Sequence, residues 1–498
     1  MITMTMTMCK GRPGWWAVGL LVLTILSTTT WARNICPASN ARLTCQCSVK
    51  SKGLVLICDK GSMEDVKENM RIFKEYPSTV IQYLTLRQIN MPRIPDYVFM
   101  GLDIRHLIVS NTNLAVLEEH SVTALATKLE ILELSQNWIH DIPTKAIKHL
   151  GNTRLLTLNH NNITALAAGA FEGMHTLERL ALYANSIARI DSNAFRGLEK
   201  LTYLNLGNNH LTRVPIASIA KLPNLVSLEL QENRIQSISE NDFAGLPNLD
   251  SLKLGHNQIT VLGPTVFKNL PRMSALELEY NGIKKVDVTA FNGLEEKLEW
   301  LKMGHNHVNE IPTEALKGMH RLREFDFKAN DISEIKEDAF DGFGRTLKFL
   351  YLQDNRISSL PMAIFGEMHS LEFISLANNS LRHLVRDVFQ PIMENIQVID
   401  VHGFIVNSEN HLSCDCELLW YKQWLIKSMS TNHEKVREIV LKTMCWTTSP
   451  KHQYSVTKAP IEKGCRSTSR AASLSTFIEL FYCPVALAML NVHHNFNN

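Results

Sequence analysis

The chain has 498 residues, of which 45% are apolar, 20% charged and 7% aromatic, and its formal net charge is +2. Ample apolar content and balanced charge exclude a disordered, a collagen-like or a coiled-coil chain, and they count against general nucleic-acid binding, which needs a strongly basic domain. Length alone would allow about three domains of roughly 100–200 residues, so internal repetition decides how many bodies there are.

Residues 1–32 carry Lys10 and Arg12, an apolar run from Trp15 to Leu26, and a small-residue stretch ending at Ala32. A positive start, a short apolar core and a small residue before the cut are read as a secretory signal peptide, cleaved after Ala32. The apolar run is shorter than the ~20 residues of a transmembrane anchor. Eight of the ten cysteines fall in two tight groups: Cys36, Cys45, Cys47 and Cys58, then Cys414, Cys416, Cys445 and Cys465. In a secreted chain such groups are read as disulfide frameworks, and the CxxC spacing of tetrahedral zinc sites is absent. Residues 33–80 are read as an N-terminal cysteine cap. It includes a short amphipathic helix within 62–76.

Between the cysteine groups, over 81–403, one pattern recurs fourteen times, from Ile81 to Ile396, at a spacing of 23 to 25 residues. Apolar residues hold places 1, 4, 6, 11, 14, 19 and 22 of each unit, as in Leu225, Leu228, Leu230, Ile235, Ile238, Phe243 and Leu246. Places 3 to 5 are expected to form a strand with places 4 and 6 inward, because strand side chains alternate. Place 9 is Asn137, Asn161, Asn185, Asn209, Asn233, Asn257, Asn281, Asn306, Asn330, Asn355 and Asn379 in eleven consecutive units. A buried amide there satisfies backbone groups of neighbouring turns, so these residues are expected to form a structural ladder. Ile89, Thr112 and Phe404 hold the place in the first two units and the last. Place 19 is Phe in nine units, among them Phe171, Phe195, Phe243, Phe267, Phe291 and Phe340, and these rings are expected to stack on the convex side.

Residues 404–465 are read as a C-terminal cysteine cap, and 466–498 as a polar stalk and apolar tail. Small residues around Ser467 to Ala472 and the apolar run Phe477 to Leu490 have the layout of a GPI-anchor signal. A short spacer and a polar end leave a plain secreted tail as the alternative. No HExxH, GxSxG, Walker loop or GxGxxG stands in a supporting context, so no catalytic residue, cofactor or metal site is assigned and the chain is read as a non-enzyme. His305 and His307 only flank the ladder residue Asn306.

The repeated pattern resembles the leucine-rich repeat, LxxLxLxxNxL, whose period is about 20–29 residues. The segment Cys414-Asp-Cys416-Glu-Leu-Leu-Trp420, followed by Cys445 and Cys465, resembles the C-terminal cysteine cap of extracellular leucine-rich-repeat proteins. That resemblance implies bridges Cys414–Cys445 and Cys416–Cys465, with Trp420 and Leu425 plugging the last repeat. The N-terminal group is similar to that family's N-terminal cap, implying Cys36–Cys47 and Cys45–Cys58. The whole layout resembles secreted or membrane-tethered matrix repeat proteins of nematode epidermis and related invertebrate adhesion proteins. The expected fold is therefore a curved α/β repeat solenoid, a horseshoe of about fourteen repeats with short parallel strands on its concave face, capped at both ends.

Places 2, 3, 5, 7 and 8 are expected to cover the concave face. They hold fourteen acidic and nine basic residues over the fourteen units. The densest aromatic and acidic group is Glu229, Glu232, Glu277, Glu279, Tyr280, Trp300, Asp326, Phe349, Tyr351 and Phe373, read as the partner-binding patch. The expected partners are extracellular or cell-surface proteins. Matrix polysaccharide is a second expectation, through the basic C-terminal cap (Lys422, Lys427, Lys435, Arg437, Lys442, Lys451, Lys458, Lys463, Arg466, Arg470). Sequons at Asn162 and Asn378 are candidate glycosylation sites. Function is thus read as extracellular protein binding, adhesion or matrix recognition; the alternatives are a structural matrix component and a carrier subunit of a secreted protein.

Overall fold

The computed structural model describes residues 36–37, 43–76, 79–403, 410–429, 434–447, 450, 452–462 and 465. The expected signal peptide and the expected GPI tail lie outside the described residues. Sixteen strands form a single sheet, taken strictly in chain order. It opens with an antiparallel hairpin, Gln46–Lys50 against Gly53–Ser62, and every later pairing is parallel. From the third unit onward each strand is three residues long and sits at places 3 to 5, as Ser227–Glu229 does. In the first unit Ile89 stands in the ninth place, and there the strand runs on from Val80 to Asn90.

The strand leucines at places 4 and 6 are sealed off, as Leu228 and Leu230 are. The ladder asparagines account for the backbone groups that a three-residue strand leaves over. Asn233 Nδ2 donates to Leu206 O at 2.9 Å and Leu230 O at 3.1 Å, while its Oδ1 accepts from Leu211 N at 3.0 Å. One amide therefore staples two successive turns, and the same contacts recur from Asn161 to Asn379. The ladder is longer than the eleven asparagines of the repeat pattern. Asn410 supplies a twelfth rung, donating to Leu376 O and Val401 O and accepting from Leu381 N. Phe404, which holds the ninth place by count, lies outside the described residues.

Place 8 has a property that the residue types conceal. From Gln88 through Asn378, thirteen successive units hold a non-glycine residue there with φ between 49° and 60°. This left-handed step turns the chain so that the next side chain, the asparagine, enters the core. An L-residue in that conformation is strained by roughly 1–2 kcal/mol. Ala329→Gly is accordingly expected to be neutral or to raise stability by about 0.5 kcal/mol, the relief of strain outweighing the entropy glycine adds to the unfolded chain. The same change at strand residue Ala181 should cost about 0.5–1 kcal/mol, and urea titration of the two variants checks the contrast.

The convex phenylalanines stack in runs rather than in one spine. Phe171 and Phe195 lie 6.0 Å apart, and Phe243, Phe267 and Phe291 follow at 6.2 and 6.0 Å. Breaks occur where Pro143, Pro215 and Pro312 each precede a four-residue helix: Thr144–Ile147, Ile216–Ile219 and Thr313–Leu316. A proline has no N–H to lose at a helix start and its ring presets φ. In those units Ile147, Ile219 or Leu316 fills the nineteenth place.

Both ends are closed by disulfide-linked segments. Cys36–Cys47 and Cys45–Cys58 pin the first hairpin. Helix Met63–Lys74 starts from a reciprocal cap between Ser62 and Asp65 and buries Val66, Asn69, Met70 and Phe73, one face at helical spacing. Asn69 Oδ1 accepts from Thr44 N and Cys45 N, tying the helix to the disulfides. At the far end Cys414–Cys445 and Cys416–Cys465 hold helix Leu419–Ser428. Tyr421 and Leu425 are buried, and Trp420 Nε1 donates to Leu384 O at 2.7 Å. Among the described residues, no helix is long and apolar enough to cross a membrane.

Candidate partner-binding face

Strand register arranges the concave side chains as a grid. Along place 3 the neighbours are Ala275, Trp300, Glu324, Phe349, Phe373 and Val398. Along place 5 they run Glu229, Lys253, Glu277, Lys302, Asp326 and Tyr351. The second row alternates in sign, and the structure uses the alternation. Lys253 lies 3.0 Å from Glu229, and Lys302 lies 3.5 Å from Glu277. Lys328, at place 7, bridges Asp326 at 2.6 Å and Glu279 at 2.9 Å. Burial alone would lower the Lys328 ammonium, but its bonds to Asp326 and Glu279 outweigh that and hold it above the usual lysine range.

This pairing revises the acidic character read from the sequence. Glu229 and Asp326 are buried, and Asn205 Nδ2 donates to Glu229 at 2.6 Å. Glu277 and Glu279 each face a lysine, and exposed Glu232 accepts from the Tyr183 hydroxyl at 3.0 Å. The carboxylates are thus engaged within the sheet, and Glu229 and Glu232 sit in a network apart from the aromatic group. A count by place could not show this, because it does not say which cation reaches which acid: Glu229 and Glu277 meet a lysine of the next strand, Asp326 one of its own unit, and Glu279 one two units on. The readable signal was the sign alternation at place 5.

The aromatic residues come together as two groups. Trp300, 38% exposed, Phe349 and Phe373 share the place-3 row with Glu324 between the first two, and Tyr351 lies 5.0 Å from Phe373. Burial pushes the Glu324 carboxyl and the Tyr351 phenol above their ordinary ranges. Separately, Tyr280 is stacked between His256 at 4.2 Å and His305 at 3.9 Å, all three at place 8. His305 is therefore occupied by a ring, while His307 Nδ1 is 3.2 Å from Asp331. The two imidazoles serve different neighbours.

At the seam between the last turns and the C-terminal cap, His383 Nδ1 lies 3.2 Å from Asp415 and 3.3 Å from Glu417. The basic cap is also engaged internally. Lys422 is buried, donating to Ala459 O at 2.7 Å and pairing with Glu462 at 2.9 Å, and Lys442 pairs with Glu438. Lys451, Lys463, Arg466 and Arg470 lie outside the described residues. Of the sequons, Asn162 is exposed at place 10. Asn378 is half-buried in the left-handed conformation and donates to Asp354 at 2.8 Å.

A stack of strand-and-turn units with an open concave sheet defines the class of the parallel repeat solenoid. A family profile described as Leucine rich repeat matches residues 103–163, 151–211, 200–259, 247–308 and 345–403. The chain belongs to the leucine-rich repeat family. It is similar to the leucine-rich repeat-containing protein 3B of Homo sapiens and Mus musculus, 31% identical over 107 residues, which is 21% of this chain and 38% of those proteins. The chain thus spans 38% of the length of the curated relatives it matches. Among solved structures, a leucine-rich repeat protein of Leptospira interrogans has a TM-score of 0.54 at 21% identity, over 76% of this chain and 91% of that one. The Drosophila Toll–Spatzle complex has a TM-score of 0.55 at 19% identity, over 71% of this chain and 50% of that one. At these identities the likeness is one of fold.

Proposed function

We propose that the chain is a non-enzymatic extracellular recognition protein that captures a protein partner on the concave face of its tenth to thirteenth units. The observation that carries this reading is the aromatic strip Trp300, Phe349, Tyr351 and Phe373, set on rigid strands beside charges already paired with one another. Rigid, half-exposed aromatics beside satisfied polar groups are the composition of interface hot spots, since burying them leaves no charge stranded. Four disulfides support this reading, since such bonds persist in oxidising compartments. A similar solenoid, Toll, is seen in complex with Spatzle.

The test is a screen of the intact chain against a panel of secreted and cell-surface ectodomains. The combined variant Trp300→Ala, Tyr351→Ala, Phe373→Ala is expected to weaken the principal interaction by about 30-fold or more, the scale of one hot-spot residue. Its secretion and melting should stay near those of the parent. Interactions unchanged by the triple substitution would sink this reading of the face.

A further inference from the structure

The concave face is not the only surface with an ordered chemistry. Places 10, 12 and 13 follow the ladder asparagine and flank a buried residue at place 11, so they project along one side of the solenoid. Successive units are in register there. Arg189 pairs with Ala165, and Lys285 with Val261, in short parallel strands, while the amide of each place 10 bonds the place-11 carbonyl of the unit before, as Arg234 N does with Leu211 O. In units five to nine these places hold Arg189, Arg213, Arg234, Lys284 and Lys285, all exposed, and no acidic residue.

Elsewhere in the repeats many cations face a carboxylate; among the described residues these five have no ion pair or side-chain hydrogen bond. The nearest acids along the chain are turned elsewhere. Asp191 accepts from Asn193 N, Glu232 from the Tyr183 hydroxyl, Asp287 from Thr289, and Glu240 from Thr265 and Lys268. The stripe also has an end: the next two units carry Glu310, Asp331 and Glu334 on the same side. An uncompensated row of like charge costs the folded state a little through self-repulsion and raises the local concentration of anions.

We propose that this flank binds a sulfated polysaccharide chain laid along the solenoid axis. At about 4.8 Å per strand, Arg189 to Lys285 spans roughly 20 Å, enough for several consecutive anionic groups of an extended polymer. The residues between the cations are exposed hydroxyls and amides, Thr212, Gln236, Ser237, Gln258 and Thr260, which suit sugar hydroxyls. These places hold no Phe, Tyr or Trp and a single exposed imidazole, His210, so a single-stranded nucleic acid would find no run of rings to stack on. Val261 is the only large apolar side chain exposed among them, too little to anchor an anionic membrane. The surface is distinct from the C-terminal cap, where Lys422 and Lys442 are paired with Glu462 and Glu438.

The full chain is applied to immobilised heparin and eluted with salt. The variant with Arg189, Arg213, Arg234, Lys284 and Lys285 all changed to Gln is expected to lose about 10-fold or more in affinity at physiological salt, its salt dependence flattening by roughly four to five in log–log slope. A control variant changes four exposed cations of the opposite rim, Lys200, Arg272, Lys297 and Arg321, to Gln, and should elute like the parent. Should the five-fold variant fail to fold, Lys284→Gln with Lys285→Gln gives the same test at smaller amplitude. Equal losses in both variants, no loss in the first, or displacement by single-stranded DNA in preference to heparin would each overturn the proposal. The triple aromatic variant should keep full heparin retention, so a failure of the concave reading would not be mistaken for a failure of this one.

Discussion

Asn233→Asp is expected to destabilise the solenoid by about 3–5 kcal/mol at neutral pH, the scale of an uncompensated buried charge. The asparagine donates to Leu206 O and Leu230 O, and an aspartate would aim a carboxylate oxygen at those carbonyls instead. Only the bond from Leu211 N would survive. The penalty should also depend on pH, with a definite sign. Burial and the two facing carbonyls raise the aspartate's folded pKa above its unfolded value of about 3.9. The folded state is then penalised at pH values above the raised pKa, and the penalty recedes as pH falls toward the unfolded value, because the protonated acid can donate once. Urea titrations at pH 7 and pH 4 measure this, with Asn233→Ala as the comparison whose deficit should not change with pH. A deficit for the aspartate that is the same at both would show the site to be open to water. Hydrogen exchange at the Leu211 amide should quicken in Asn233→Ala, which removes its acceptor, beyond what the loss of stability explains.

Gly173→Ala is expected to cost about 4 kcal/mol or more, an effect reserved for a substitution with a named steric cause. A Cβ built on Gly173 would lie 1.8 Å from the carbonyl oxygen of Lys148, a backbone atom of the preceding turn, and its φ of 86° already disfavours any L-residue. Gly197 makes the natural partner experiment. Its φ is 89°, but nothing lies within 4 Å of a Cβ there, so Gly197→Ala should cost only the backbone strain, roughly 1–2 kcal/mol. The difference between the two melts isolates the collision from the conformational term. Equal shifts would mean that the convex turns relax freely around the methyl group.

Much of this architecture is legible in the letters, because a solenoid writes its tertiary contacts at a constant offset. Leu228 touches the residues 24 positions away that share its place, so period and core are the same information. The asparagine ladder could be inferred from place 9 alone. Other features needed coordinates. Asn410 joins the ladder 31 positions after Asn379, out of phase with the repeat, and no period search would select it. The left-handed step at place 8 is filled by Gln, His, Ala, Glu, Tyr and Asp as well as Asn, with no glycine to announce it. On the candidate face the aromatic residues could be picked out, whereas the pairing of the acids around them could not, since Lys253 and Lys302 act from the adjacent strand and Lys328 reaches across two units to Glu279.

The last strand of the sheet, Val398–Asp400, ends against Tyr421, whose hydroxyl donates to Ile399 O at 2.9 Å. Each earlier strand meets the next with the same offer of peptide groups, and nothing within a unit says how many units should follow. A fold of this kind has no intrinsic size. Its length is decided at the two termini, where a tyrosine answers a carbonyl that would otherwise await another strand, and where a hairpin running the opposite way closes the first. Units could be gained or lost in the middle without either end noticing, so the reach of the concave face and the extent of the basic flank are free to change while the closures stay as they are.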